Sequence, residues 1–159
     1  LPRFRQLAAD EVEMKGADDP VTIVDREVEA FLTEALTRLA PGVAVVGEEA
    51  VHADRGVLDH LSGQCWIIDP LDGTANFAEG KEPFGIIIAL ADAGRAVAGW
   101  IYDPNKDRFC HARAGEGMRA EIPHFQRRGH FFSLGFSTSR SWSPPRLIET
   151  MVTSSAMPG

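Results

Sequence analysis

Apolar residues at Val24, Val28, Phe31, Leu32, Ala35, Leu36 and Leu39 recur three and four positions apart, which predicts an amphipathic helix. Thr22 supplies an N-cap with Asp25 three residues on, and Pro41-Gly42 closes the other end. Upstream, Phe4, Leu7, Ala8 and Val12 follow a helix-like spacing too. Downstream the pattern shortens. Val43 to Val46 reads as a brief strand that stops at Gly47-Glu48-Glu49, and residues 51–63 as a polar helix-loop excursion. Cys65 to Ile68 is a hydrophobic strand that delivers Asp69 at its end, where Pro70 is expected to break the ladder and put the acids that follow at the sheet edge. Phe84 to Leu90, Ala96 to Tyr102 and Arg108 to Ala112 are three more strands. Their short connections, Ala91 to Arg95 and Asp103 to Asp107, leave no room for a parallel crossover and imply an antiparallel meander. The sum is an α+β fold, a helix-flanked antiparallel sheet. Beyond Gly117 neither period persists, and residues 118–159 read as a poorly determined tail, either loosely ordered or out of the ancestral reading frame.

Composition narrows the function. With 159 residues, 44% of them hydrophobic and 25% charged, the chain can bury a core. A net charge of −7 argues against a nucleic-acid or membrane-surface partner, both of which select a basic face. The two cysteines, Cys65 and Cys110, the lack of a long apolar run and the lack of a signal-peptide pattern make a reduced, cytoplasmic protein the expectation. The five histidines show no metal-ligand spacing, and Gly115-Glu-Gly117 is too little for dinucleotide binding.

The chemistry concentrates in Trp66-Ile-Ile-Asp-Pro-Leu-Asp-Gly-Thr-Ala-Asn-Phe77. Asp69 and Asp72 leave a strand just before Gly73-Thr74 opens a short helix, so oxygen ligands for a hard cation and helix-start amides for an anion fall in one turn. Glu48 and Glu49 also follow a strand, and in a shared sheet their carboxylates would converge on Asp69. A metal that activates water beside a phosphorus atom is the economical use of such a group. Thr74 would orient that water, with Asp25 or Glu48 behind it.

Lys15, the run Asp19-Pro-Val-Thr-Ile-Val-Asp25, Gly47-Glu48-Glu49 and the segment from Trp66 to Phe77 together resemble the inositol monophosphatase family of Mg²⁺-dependent, lithium-sensitive phosphatases. The resemblance covers about residues 12–117. It implies that residues 1–117 form an N-terminal metal- and phosphate-binding domain, the first portion of a layered α-β-α-β-α sandwich. By the same resemblance Glu48, Asp69, Asp72 and the Leu71 carbonyl bind metal, Glu48 and Thr74 position the attacking water, and Asp25 supports Thr74. Asp72 and the Gly73 and Thr74 amides would hold substrate, and Lys15 matches a lysine near the active-site loop. The implied cofactor is Mg²⁺, the implied partner a small phosphorylated polyol or sugar, and a homodimer is favoured. The family's later Trp-Asp-x-Ala-Ala-Gly segment does not occur here, so the C-terminal half of the catalytic body is expected to be missing. Related nucleotide-bisphosphate, fructose-bisphosphate and histidinol-phosphate phosphatases stay open as alternatives. So does a truncated, non-catalytic remnant that binds metal or phosphate. An aspartyl-phosphate mechanism is disfavoured because the acids stand three apart, not two.

Overall fold

In the computed structural model the described residues are 3–16, 19–121 and 136–138. The helix expected from periodicity is α1, Ile23–Leu39, capped as the sequence indicates: the Thr22 hydroxyl accepts the Val24 amide at 3.2 Å while Asp25 accepts the Thr22 amide at 2.7 Å. Before it, the helix-like spacing of Phe4 to Val12 misleads. Those residues form turns and a single 3₁₀ turn, and then strand β1 (Val12–Gly16) pairs antiparallel with β2 (Asp19–Thr22). Phe4 serves a different end, packing against Phe77 and Phe84 with ring centroids 5.5 and 4.7 Å away.

The main sheet has seven strands in the order β3 (Ala44–Gly47), β4 (Gln64–Asp72), β5 (Gly85–Asp92), β6 (Arg95–Asp103), β7 (Arg108–Arg113), β8 (Gly117–Glu121) and β9 (Phe136–Thr138). Every pairing is antiparallel except β3 with β4, whose connection is long enough for a crossover. That connection holds α2 (Glu48–Ala53) and a 3₁₀ stretch, Arg55–Ser62. The expected meander is therefore present, and it continues: residues past Gly117 add β8 and β9, while the rest of the 118–159 segment lies outside the described residues.

Alternation along β4 builds two apolar layers. Cys65 and Ile67 face one way and join Val46, Leu61, Ile87 and Ala89, beneath the 3₁₀ stretch. Trp66 and Ile68 face the other way and meet Leu36 and Leu32 of α1 together with Trp100. β4 is consequently an interior strand. The acids at its end emerge between β3 and β5, not at a sheet edge as the sequence suggested. Nor does Pro70 end the ladder. Asp69 pairs with Ile87 and Asp72 with Gly85, so one extra residue is taken up in a bulge, the setting in which a strand tolerates proline's missing N–H.

Candidate metal and phosphate site

The bulge and the turn after it bring five predicted residues, Asp69, Leu71, Asp72, Gly73 and Thr74, to one corner. Asp69 is buried, its Oδ1 accepting the Leu71 amide at 3.1 Å, whereas Asp72 at the strand's last position is exposed. The side chain of Leu71 points into an aromatic cluster with Phe77, Phe84, Phe4 and Val24, which anchors the acidic turn from below. Its carbonyl accepts the Thr74 hydroxyl at 2.8 Å.

Gly73 then turns the chain into α3 (Thr74–Ala78) with φ of +84°. Glycine is required twice over: that conformation disfavours a side chain, and a Cβ would lie 2.9 Å from the Pro83 carbonyl oxygen. Thr74 is the first residue of α3, where amides have no intrahelical acceptor and present a positive end to an anion.

Asp25 reaches this corner from α1. It is 1% exposed, and its Oδ1 accepts the Thr74 hydroxyl at 3.0 Å while Oδ2 accepts the Thr22 hydroxyl at 2.6 Å. An aspartate in a first helical turn is ordinarily a partner of the helix dipole, and this one is also a cross-link between two elements. Glu48 is the first residue of α2, directly after β3, the strand that pairs with β4. Lys15 is in β1, but its side chain lies outside the described residues.

Electrostatics tie these groups together. Burial, and after it the charges of Glu48 and Asp72 with a smaller share from Asp25, push the Asp69 carboxyl up to about 7 although the Leu71 amide opposes the shift. Glu48, Asp72 and Asp25 thus act on one buried carboxyl, although among the described residues no three acidic, histidine or cysteine groups stand close enough together to hold a metal ion as they are. Among those residues neither Asp69 nor Asp72 has an ion-pair partner. A group of carboxylate and carbonyl oxygen donors suits a hard divalent cation. The sequence reading missed Glu29, a buried carboxylate of α1 that accepts two amides at the start of α2. Its one local clue is its place four residues after Asp25 on the same helix.

Comparison with known proteins decides the family. Residues 2–150 match the profile described as the inositol monophosphatase family. The chain belongs to that family. Among curated relatives, a histidinol-phosphatase of Mycobacterium tuberculosis is 34% identical across 96% of this chain and 60% of its own length. An inositol-1-monophosphatase of Bacillus subtilis is 38% identical across 63% of this chain and 37% of its own. The chain therefore spans between about a third and three fifths of these two relatives. Of solved structures, the Thermotoga maritima IMPase superposes with a TM-score of 0.65 at 27% identity, over 79% of this chain and 45% of that one. The extragenic suppressor protein suhB of Bartonella henselae gives 0.58 at 35% identity, over 67% and 41%. The helix-flanked sheet described above is thus the N-terminal portion of the inositol monophosphatase fold. Among the described residues no helix is long and apolar enough to cross a membrane.

Proposed function

We propose that this chain carries the metal- and phosphate-binding part of a Mg²⁺-dependent phosphomonoesterase that acts on inositol monophosphate or a similar small polyol or sugar phosphate. One observation carries the reading: a buried Asp69 crowded by Glu48 and Asp72 stands beside the Thr74–Asp25 pair at the start of α3. The donor set fits a divalent ion, which Glu48, Asp69, the Leu71 carbonyl and Asp72 would hold. Such an ion supplies Lewis-acid stabilisation of phosphoryl charge and lowers the pKa of bound water.

The chain's own groups do the rest. Asp25, pinned by the amide and hydroxyl of Thr22, holds the Thr74 hydroxyl in place. With its proton directed to Asp25 or to the Leu71 carbonyl, Thr74 Oγ1 keeps a lone pair with which to accept a hydrogen bond from the attacking water and so orient it. Glu48 would be the carboxylate that takes the one proton the water loses as its oxygen bonds phosphorus, while the phosphorus–oxygen bond to the polyol or sugar breaks and the departing alkoxide takes a proton from solvent. The Gly73 and Thr74 amides hold the phosphate oxygens, which matches the positive end of α3. Asp72 would contact both ion and substrate.

The Mycobacterium relative, aligned over nearly the whole chain, favours histidinol phosphate as a second substrate candidate. The test is phosphate release from inositol 1-phosphate and from histidinol phosphate, with and without Mg²⁺ and lithium, by the chain and by Asp72→Asn. Mg²⁺-dependent, lithium-sensitive release that falls by orders of magnitude in Asp72→Asn, with the melting temperature preserved, is expected. Cation binding without release from either substrate would overturn the hydrolase reading for this chain and leave a binding remnant.

A further inference from the structure

Glu29 sits one helical turn beyond Asp25 on α1, and its side chain, 7% exposed, reaches across to the start of α2. Oε2 accepts the Glu49 amide and Oε1 the Ala50 amide, each at 2.8 Å. These are charge-assisted bonds at the positive end of a helix, the pairing that a carboxylate makes best. The residue before Glu48 is shaped around the same group. A Cβ on Gly47 would fall 2.3 Å from the Glu29 carboxyl carbon and 2.5 and 2.6 Å from its two oxygens. Gly47 has φ of −99°, which any residue adopts, so glycine stands there for room and not for backbone freedom. Glu29 therefore hydrogen-bonds the chain just after Glu48 and packs closely against the residue just before it.

We infer that Glu29 is a positioning residue that fixes the direction in which Glu48 meets the Asp69 corner; the inference rests on the metal-binding role proposed for Glu48. One helix then sets both flanks of the site. Asp25 fixes Thr74, and four residues later Glu29 fixes the backbone that bears Glu48. Groups that orient a metal's ligands without touching the metal commonly change affinity by about 10–100-fold when removed.

Two variants probe the grip from opposite sides. Glu29→Gln keeps the size but leaves one acceptor oxygen for two amides. Gly47→Ala keeps the charge but displaces the carboxylate, the movable end of a flexible side chain. Both are measured on the full chain, metal-free by hydrogen exchange at the Glu49 and Ala50 amides, and by calorimetric titration with Mn²⁺ well below each variant's melting temperature. Lost protection at those two amides together with Mn²⁺ affinity lowered by about 10-fold or more supports the inference. Unchanged protection overturns it, as does lost protection with wild-type Mn²⁺ affinity, which would make Glu29 a purely structural cap. Should Glu29→Gln fail to fold, Gly47→Ala decides alone on the same two readouts. A wild-type chain that takes up no Mn²⁺, with Glu49 and Ala50 still protected, removes the metal role of Glu48 itself and is thereby distinguished from failure of the grip.

Discussion

The two halves of β4 are built from opposite materials. From Cys65 to Ile68 every side chain meets apolar neighbours on one face or the other, in uninterrupted register with both flanking strands. From Asp69 to Asp72 the same strand carries a bulge, a proline and two carboxylates, with Asp69 as poorly exposed as the leucines around it. The first end contributes stability and the second gives some of it up. An acid buried among like charges is unfavourable unless something binds there, which is how sites for ligands differ from cores. What lets the second end persist is its support: the aromatic cluster under Leu71 and the Thr22–Asp25–Thr74 chain of hydrogen bonds.

The contrast breaks most forcefully at Ile67. Truncation to Ala opens a cavity among Leu61, Val46 and Ile87, and a loss of ~2–5 kcal/mol by denaturant unfolding is expected. Gly73→Ala, at the corner itself, combines a left-handed backbone with a contact to the Pro83 carbonyl and is expected to lower stability by ~2 kcal/mol. It should also weaken phosphate binding, measured by titration with inorganic phosphate. Asp69→Asn has the opposite sign. In metal-free protein at pH 8 it should raise stability by about 1–2 kcal/mol, since it deletes a crowded charge while keeping an acceptor for the Leu71 amide. The pH dependence follows from the raised pKa. Unfolded chain ionises Asp69 near 3.8, folded chain only near 7, so this group's stabilisation is complete below the first value and disappears as pH rises through the second. Thermal melts of metal-free wild type should therefore climb from pH 8 to pH 5 relative to those of Asp69→Asn.

Local chemistry makes much of this legible in the sequence. The capping of α1 by Thr22 and Asp25, the meander from β5 to β7 and the acidic turn before Thr74 all depend on neighbours within a few residues. Three features were hidden because their partners are distant. Phe4 to Val12 has helical spacing, yet Val12 pairs with Thr22 in a hairpin and Phe4 is drawn to Phe84. Pro70 looked like a strand's end because a bulge shows only when the opposing strand is known. Glu29 gives no signal of its own in the sequence, because its oxygens are committed to amides twenty and twenty-one residues away.

The central claim is that Glu48, Asp69 and Asp72 take a divalent cation at the corner where Asp25 holds Thr74. Its most direct test is calorimetric titration of the chain with Mn²⁺ at pH 7 in two buffers of different ionisation heat. Because the Asp69 carboxyl titrates at about 7, binding should release about half a proton, affinity should rise with pH, and Asp69→Asn should abolish the release. Binding that releases no proton and is equally tight in Asp69→Asn would contradict the account.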